Sequence, residues 1–343
     1  MESAIPKPLI SVLLPARNAE NTLEACLQSL VAQSEKRWEC VLVNDGSSDR
    51  TGAIARGFAA HDPRFGVLEC EHRGIVPSLN EGLEHCRGDF IARMDADDRM
   101  HPERLAAQHA ALKANPQWVA AGCHVSLFPR ESLKEGQLAY ETWLNEMQTA
   151  EQLRADAFVE CPIAHPTFFG RREAFLEFGY EDNGWPEDYD LLLRWLGAGH
   201  SFGVVPRELL AWRQSEESLS RTGDVYRQEN FTRCKAFYLY EHFLKGRPRY
   251  VLWGYGGTGR ALCKALAARG SEPSHIVELH PRRLGKVIHG APVVRPEALA
   301  ALREANGRLQ VIASVAGAKP RAEIRAALDA MGFAQGLDYV CAA

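Results

Sequence analysis

The stretch Gly88-Asp89-Phe90-Ile91-Ala92-Arg93-Met94-Asp95-Ala96-Asp97-Asp98 joins an apolar run to three carboxylates. Its first seven residues predict a strand, and His101-Pro102-Glu103-Arg104-Leu105 predicts the start of a helix. The acids therefore follow the carboxyl end of a strand, the edge where ligands bind in open α/β sheets. Their crowding is unfavourable unless a cation or a hydrogen-bonded ligand compensates it. The stretch indicates either a Mg²⁺ or Mn²⁺ site or a solvated acidic loop that caps the next helix.

Two further predicted strands end in polar residues. The apolar run Trp38–Val43 leads into Asn44-Asp45-Gly46-Ser47-Ser48, and Leu9–Leu14 leads into Pro15-Ala16-Arg17-Asn18. Because the carboxyl ends of parallel strands meet at one edge, we expect these segments to converge on the Asp95–Asp98 loop.

The first 120 residues alternate between predicted strands and helices, which is typical of βαβ units and a mainly parallel sheet. The expected strands are Leu9–Leu14, Trp38–Asn44, Phe65–Glu69, Asp89–Met94 and Val119–Gly122. The expected helices are Thr22–Gln33, Thr51–Ala60, Val76–Cys86 and Pro102–Asn115. We expect residues 123–158 to be mostly helical. A helix over Glu187–Leu196, a strand over Phe202–Val205 and a long helix over Tyr226–Leu244 follow.

A second domain is predicted after Lys245-Gly246-Arg247-Pro248-Arg249, which separates residues 1–245 from residues 246–343. The strand Tyr250–Trp253 precedes a G-x-G-x-x-G loop and a helix, and an acid follows the next strand near the spacing of a ribose-binding carboxylate. This order predicts a small Rossmann-like α/β domain. Its candidate ligand residues are Gly254, Gly256, Gly259 and Glu278.

Composition is that of an ordinary globular chain, with 46% hydrophobic and 24% charged residues among 343. No apolar run approaches the roughly 20 residues of a membrane span, and Met1–Pro8 carries no signal-peptide pattern. Nine scattered cysteines favour reduced thiols in the cytoplasm over a disulfide framework or a zinc site. Residues 246–343 carry 14 Lys and Arg against 7 Asp and Glu, so this part of the chain is basic. Its positive charge indicates binding to an anionic ligand, to a membrane surface or to the acidic remainder of the chain, or it reflects composition alone.

Taken together, "SVLLPARNAENTLEACLQSLVAQSEKRWECVLVNDGSSDRT" and "HRGIVPSLNEGLEHCRGDFIARMDADDRMHPERL" resemble the inverting nucleotide-sugar glycosyltransferases of family 2, which have the GT-A fold. The resemblance runs from about Ile10 to Ser220. It implies a mainly parallel α/β sheet flanked by helices. It also implies a divalent metal, Mn²⁺ or Mg²⁺, bound at a DXD motif in which Asp97 is the ligand and Asp95 assists it or lies near the ribose. The residues assigned to the donor nucleotide are Pro15, Ala16, Asp45, Arg73 and Asp95.

An inverting transfer needs one general base, which removes the acceptor's proton. The resemblance places it at Asp188, near the start of a helix, where the alternative is simple helix capping. Glu187 and Asp190 are the substitute candidates.

Three further residues have open roles. His165 either binds acceptor or phosphate or is structural. The family usually has a histidine where Ser215 stands, which puts one metal or diphosphate ligand in doubt. Arg213 is the candidate clamp for the diphosphate in its place.

The sequence thus predicts a metal-dependent inverting transferase that moves a sugar from a nucleotide-diphosphate donor, with UDP expected, to a glycan or lipid-linked saccharide in polysaccharide synthesis. Two alternatives stay open. One is a degenerate nucleotide-sugar-binding protein, motivated by Ser215. The other is a C-terminal domain that binds a dinucleotide or acts as an NAD-dependent or methyl-transferring enzyme. No nucleic-acid partner is expected. The expected location is cytoplasmic, with peripheral association at the inner membrane face for a lipid-linked acceptor, and the sequence sets no oligomeric state.

Overall fold

The computed structural model describes residues 7–343, so most of the N-terminal stretch considered for a signal peptide lies outside the described residues. The chain divides into two compact units. The first contains the described residues up to Leu153, together with Ile163–Asn183 and Asp190–Ser218, and the second contains Arg154–Pro162, Gly184–Tyr189 and Leu219–Ala343. The separation of domains between residues 245 and 246 stays a prediction.

Strands and helices alternate from β1 to β4, and the order is less regular from there to Arg213. The strands are β1 (Ile10–Ala16), β2 (Trp38–Asp45), β3 (Phe65–Cys70), β4 (Phe90–Arg93), β5 (Arg99–Met100), β6 (Trp118–Phe128), β7 (Phe169–Arg171) and β8 (Ser201–Arg213). The helices are α1 (Leu23–Val31), α2 (Thr51–His61), α3 (Ile75–His85), α4 (Arg104–Ala114), α5 (Glu135–Asn145), α6 (Ala150–Asp156), α7 (Arg172–Phe178) and α8 (Glu187–Gly197).

The strands β1 to β8 form one sheet in the order β3-β2-β1-β4-β7-β6-β8-β5. β1, β2, β3 and β4 run parallel, and β7 is antiparallel to both β4 and β6. Every residue of β1 and β2 is buried, as expected for a parallel sheet that is covered on both faces. The α/β class and the mainly parallel sheet are therefore confirmed.

Residues 123–158 are mostly helical, as expected, since they contain α5 and α6. The start of this segment differs from the expectation, because β6 does not end near Gly122 but continues to Phe128. β6 pairs in parallel with β8, which is itself much longer than the predicted Phe202–Val205. Their pairing shifts register on either side of His124, where Pro206 and Arg207 of β8 have no partner. The proline and the charged arginine interrupt the apolar pattern of β8, so the sequence alone does not indicate the full length of this strand.

A second, smaller sheet lies in the second unit. The later helices are α9 (Leu219–Thr222), α10 (Gln228–Tyr238), α11 (Gly257–Ala267), α12 (Ala298–Asn306) and α13 (Ala318–Ala330). The strands are β9 (Arg249–Trp253), β10 (Glu272–Val277), β11 (Val287–Ile288), β12 (Ala291–Val294), β13 (Val311–Ala313) and β14 (Tyr339–Cys341). Their order is β11-β12-β10-β9-β13-β14, and all neighbours are parallel except β11 and β12. The short β11–β12 hairpin was not predicted from the sequence.

The long helix expected over Tyr226–Leu244 is α10, which continues as a π-helical segment over Leu239–Leu244. Within residues 7–343, no helix is both long and apolar enough to span a membrane.

Candidate functional site

An acidic loop leaves the end of β4. Asp95, Asp97 and Asp98 each place one carboxylate oxygen so that the three oxygens lie within 4.8 Å of one another. Asp98 is fully buried, whereas Asp95 and Asp97 are partly exposed. The loop therefore presents concentrated negative charge at the carboxyl edge of the sheet, where the sequence predicted it.

Buried arginines support this loop. Arg93, the last residue of β4, forms an ion pair with Asp95. Beneath it, the fully buried Arg104 donates from Nη2 to the backbone carbonyl of Arg93 at 2.9 Å and from Nε to Gln108 at 2.9 Å. Burial lowers the pKa of Arg104, and the carboxylate of Asp98 acts in the opposite direction. Arg93 and Arg104 thus place positive charge beneath the acids, which offsets part of the repulsion between the carboxylates.

Arg213, at the end of β8, contacts the loop from the other side. Its backbone N–H donates to Asp98 Oδ1 at 2.7 Å, and its Nε donates to the backbone carbonyl of Asp97 at 3.1 Å. The guanidinium carbon also lies 4.6 Å from the ring centroid of Phe128. Arg213, which the sequence analysis predicts to bind the diphosphate, therefore contacts Asp97, which it predicts to bind the metal.

The carboxyl groups of Asp97 and Asp98 resist ionisation. Burial, followed by repulsion from Asp95, raises the pKa of Asp97 to about 6. Burial and the charges of Asp95 and Asp97 raise the pKa of Asp98 well above its usual value. Both groups bind protons more readily than a solvated aspartate, and a bound cation would reverse this preference.

The donor set fits a divalent cation. Asp98 Oδ2 is buried and accepts no hydrogen bond within the described part of the chain, although buried carboxylate oxygens are normally satisfied. An all-oxygen cluster of three carboxylates is the environment that Mg²⁺ and Mn²⁺ prefer. The residues present are therefore suited to a metal ion.

Asp45, the last residue of β2, anchors the loop before α3. Its carboxylate accepts the backbone N–H groups of Arg73 at 2.8 Å and Gly74 at 3.1 Å, and Nδ1 of His72 lies 2.7 Å away. Burial alone would raise the pKa of Asp45, but these hydrogen bonds lower it. Only 5% of Asp45 is exposed, so much of its hydrogen-bonding capacity serves the loop. The Arg73 guanidinium pairs with Glu81 at 3.0 Å.

Pro15 and Ala16 end the buried strand β1. They are in register with Val43 and Asn44 of the parallel neighbour β2, so their backbone lies beside the turn that follows Asp45. β4 pairs with the opposite side of β1. The fold therefore brings the first, second and fourth strand ends to one edge of the sheet, as the sequence predicted.

The three acids at the start of α8 differ in their surroundings. Glu187 is buried and accepts the hydroxyl of Tyr226 at 2.7 Å. Asp190 is fully buried and pairs with Arg194 at 2.7 Å. Asp188, which belongs to the second unit, is partly exposed and accepts the backbone N–H of Tyr189 at 2.7 Å. Among the three, Asp188 has the most access to solvent.

His165 is buried. Its Nε2 lies 3.0 Å from the hydroxyl of Tyr180, and its ring packs edge-on against Phe168. Burial, followed by the charge of Arg93, holds the pKa of His165 well below its usual value, so the ring is neutral. These packed contacts favour the structural interpretation of His165.

Ser215 lies in a turn after β8, where its hydroxyl accepts the backbone N–H of Glu217 at 3.1 Å.

The second unit has a cavity of its own, of about 620 Å³, above the loop between β9 and α11. Gly254, Gly256 and Glu278, three of the four candidate ligand residues of this region, line it. Glu278 accepts the backbone N–H of Tyr255 at 3.0 Å and forms an ion pair with Arg283. The fourth residue, Gly259, lies inside α11, and a β-carbon at this position would meet the backbone carbonyl of Gly254.

Sequence reasoning assigned no role to Arg93 or Arg104, and it included Asp98 among the crowded acids without naming it as a ligand. A signal for Arg93 exists, because a charge within an otherwise apolar strand must find a partner or a function. Arg104 carried no such signal, since an arginine in the first turn of an amphipathic helix is ordinarily solvated.

Known proteins are similar to this chain in sequence and in fold. Residues 11–179 match the glycosyl transferase family 2 model. The amylovoran biosynthesis glycosyltransferase AmsE of Erwinia amylovora is 30% identical over 220 residues, which cover 62% of this chain and 79% of AmsE.

Two solved structures share the fold. S. aureus TarS residues 1–349, in complex with UDP-GlcNAc, aligns at a TM-score of 0.54 and 15% identity over 76% of this chain and 72% of that one. The mannosyltransferase PcManGT of Pyrobaculum calidifontis, in complex with GDP-Man and Mn²⁺, aligns at a TM-score of 0.50 and 19% identity over 95% and 81%. The chain described here has the GT-A fold, belongs to glycosyltransferase family 2 and is a glycosyltransferase.

Proposed function

We propose that this enzyme transfers a sugar from a nucleotide-diphosphate donor to a hydroxyl of a glycan or lipid-linked saccharide, with inversion at the anomeric carbon. The observation that carries the proposal is the cluster of Asp95, Asp97 and Asp98 held against Arg213. The donor class is supported by TarS and PcManGT, whose structures contain UDP-GlcNAc and GDP-Man. A role in polysaccharide synthesis is supported by the name of AmsE.

Asp97, with Asp95 and Asp98, would hold a divalent metal, Mn²⁺ or Mg²⁺. When bound, the metal neutralises charge on the leaving diphosphate without a proton transfer. Arg213 supplies a second positive charge on the same side, and its Nε–H is already directed at the backbone of Asp97. Arginine suits this task because its planar guanidinium can donate two parallel hydrogen bonds to a phosphate.

The nucleoside would lie along the ends of β1 and β2. In this proposal the backbone of Pro15 and Ala16 and the loop fixed by Asp45 form its walls, with Arg73 nearby. Asp45 contributes mainly by holding the loop in one conformation before the donor arrives, which lowers the entropic cost of binding.

Asp188 would act as the general base that accepts the acceptor's proton while the hydroxyl oxygen attacks the anomeric carbon. Its partial exposure supports this choice over Glu187 and Asp190, both of which are buried. Asp188 also lies in the first turn of α8, where the helix dipole favours a negatively charged side chain.

Titration calorimetry with UDP, GDP and dTDP, each with Mn²⁺ or with EDTA, tests the donor site. We expect one nucleotide to bind in a Mn²⁺-dependent manner, and Asp97→Ala to abolish this binding. Asp89→Ala is the matched control, because Asp89 precedes the same strand but is exposed and pairs with Lys7 at the surface. Absence of Mn²⁺-dependent binding for all three nucleotides would overturn the proposed site.

Turnover is tested by incubating the matching nucleotide sugar with candidate saccharide acceptors and determining the anomeric configuration of the product by NMR. Inversion is the expected result, and retention would contradict the assigned mechanism. Binding without hydrolysis or transfer would favour the alternative of a nucleotide-sugar-binding protein, which Ser215 motivates.

A further inference from the structure

We propose that the cavity of the second unit is a separate binding site for the ribose 5′-diphosphate group shared by nucleoside diphosphates, nucleotide sugars and dinucleotides. Four observations from this unit support the proposal: two glycines that neither packing nor a positive φ requires, a pair of cations without an ion-pair partner, a positioned carboxylate and a cavity of suitable size. None of these residues belongs to the donor site described above.

The glycines of the loop fall into two classes. Gly254 has a φ of +96° and a β-carbon there would lie 2.3 Å from Val315, while a β-carbon on Gly259 would lie 2.2 Å from the carbonyl of Gly254. The fold itself therefore requires both of these glycines. Gly256 and Gly257 differ, because neither has a positive φ and a β-carbon on either would meet no atom within 4 Å.

Gly256 and Gly257 nevertheless line the cavity. Gly257 is also the first residue of α11, where glycine is a poorer choice than alanine for the helix. A ligand that approaches the backbone closely would explain why both positions lack a side chain. The N–H groups at the start of α11 and its dipole favour a negatively charged ligand there.

Basic side chains line the same cavity. His280, Arg282, Arg283 and Lys286 all come from the segment after β10. Arg283 is balanced by Glu278, whereas Arg282 and Lys286 form no ion pair with any residue between 7 and 343. Two uncompensated cations facing the start of a helix are suited to the two charges of a diphosphate.

Glu278 is placed to accept hydrogen bonds from the ribose of the ligand. It directly follows β10, the strand after α11, and the backbone N–H of Tyr255 and the guanidinium of Arg283 fix its carboxylate at the cavity wall. In sheets with this strand–loop–helix–strand order, an acid at this place accepts hydrogen bonds from ribose hydroxyls. The volume of about 620 Å³ lies within the range of known small-molecule sites.

The test uses the full chain carrying Asp97→Ala, in EDTA, so that the metal-dependent donor site is silent. UDP, ADP and NAD are titrated separately by calorimetry. We expect at least one to bind with a stoichiometry of one, and the ligand that binds most tightly distinguishes a nucleotide from a dinucleotide. No binding of any of the three at 1 mM would overturn the proposal.

Gly257→Ala, added to the same chain, should weaken this binding at least 10-fold and leave the melting temperature unchanged or higher. Gly57→Ala is the matched control, because Gly57 also lies in a helix with no atom near its β-carbon position but is remote in sequence and lines no cavity described here. Exchange of the exposed Arg282 and Lys286 for alanine should weaken binding and reduce its salt dependence. Equal affinity of the Gly257→Ala chain and its parent would overturn the assignment.

Discussion

Arg213 donates its backbone N–H to the buried carboxylate of Asp98 at 2.7 Å, and this bond joins the end of β8 to the acidic loop after β4. The bond comes from the main chain, so it survives any substitution of the arginine side chain other than proline. The guanidinium also donates to the backbone carbonyl of Asp97, so a substitution of the side chain removes that contact but keeps the main-chain bond to Asp98.

Exchange of Arg213 for alanine should therefore weaken binding of the nucleoside diphosphate by roughly 10- to 100-fold, the effect of losing a charge-assisted contact. Arg213→Lys should recover only part of the loss, because an ammonium group cannot form two parallel hydrogen bonds. Calorimetry with Mn²⁺ present measures both variants. Equal affinities of Arg213→Ala and the wild type would remove Arg213 from the donor site.

The acidic loop should make stability depend on pH. The folded-state pKa of Asp97, about 6, lies above the usual value of 3.8, so its protonated form is favoured by folding. This stabilisation is complete below the unfolded-state pKa and is lost as pH rises through about 6. In EDTA, the wild type should lose on the order of 2 kcal/mol relative to Asp97→Asn between pH 4 and pH 7.5.

Denaturant unfolding of both proteins across this pH range measures the difference. Mn²⁺ should stabilise the wild type most at the upper end of the range, since the cation binds the ionised carboxylates and competes with protons. A constant difference between wild type and Asp97→Asn would show that Asp97 titrates normally.

Several features of this site could be predicted from sequence for a physical reason. β1, β2 and β4 are short apolar runs followed by polar residues, and parallel strands necessarily bring such ends to one edge. The acids Asp45, Asp95 and Asp97 therefore had to lie at that edge. No comparable sequence pattern identifies the arginines that support these acids from beneath.

The supporting residues come from distant parts of the chain. Arg104 is fully buried and donates to the carbonyl of Arg93, and no local sequence pattern predicts this contact. The length of β8 was equally hidden, since its last residues are stabilised by pairing with β6. Periodicity reports which face of an element is apolar, but it does not report which polar groups meet across the fold.

Asp45 offers a test of the loop that it anchors. Asp45→Asn keeps one acceptor oxygen but places an N–H₂ group against the N–H groups of Gly74 and His72, so at least one donor loses its partner. We expect a loss of about 1–3 kcal/mol of stability at pH 7.

The loss should also depend on pH. Because hydrogen bonds lower the pKa of Asp45, its contribution is present above the unfolded-state pKa and disappears as pH falls through the lower folded-state value. Denaturant unfolding at pH 7 and pH 3 should therefore show a smaller difference between wild type and Asp45→Asn at pH 3. A difference that is the same at both values would mean that the charge of Asp45 is not what holds the loop.

Asp188 can be separated from its two acidic neighbours by comparing chemistry with folding. Asp188→Asn removes the proposed base while preserving the shape of the side chain and its acceptor oxygen for the N–H of Tyr189. Transfer should fall by about 10²- to 10⁴-fold, the usual contribution of a general base, while binding of the nucleotide donor stays unchanged. Asp190→Asn should instead affect folding, because it removes the charge of a fully buried carboxylate that pairs with Arg194 and leaves that guanidinium only its longer ion pair with the exposed Glu181, so the melting temperature should fall. Initial rates, donor affinity and melting temperature, measured on both variants, distinguish the roles. Full transfer activity in Asp188→Asn would exclude it as the base and return attention to Glu187.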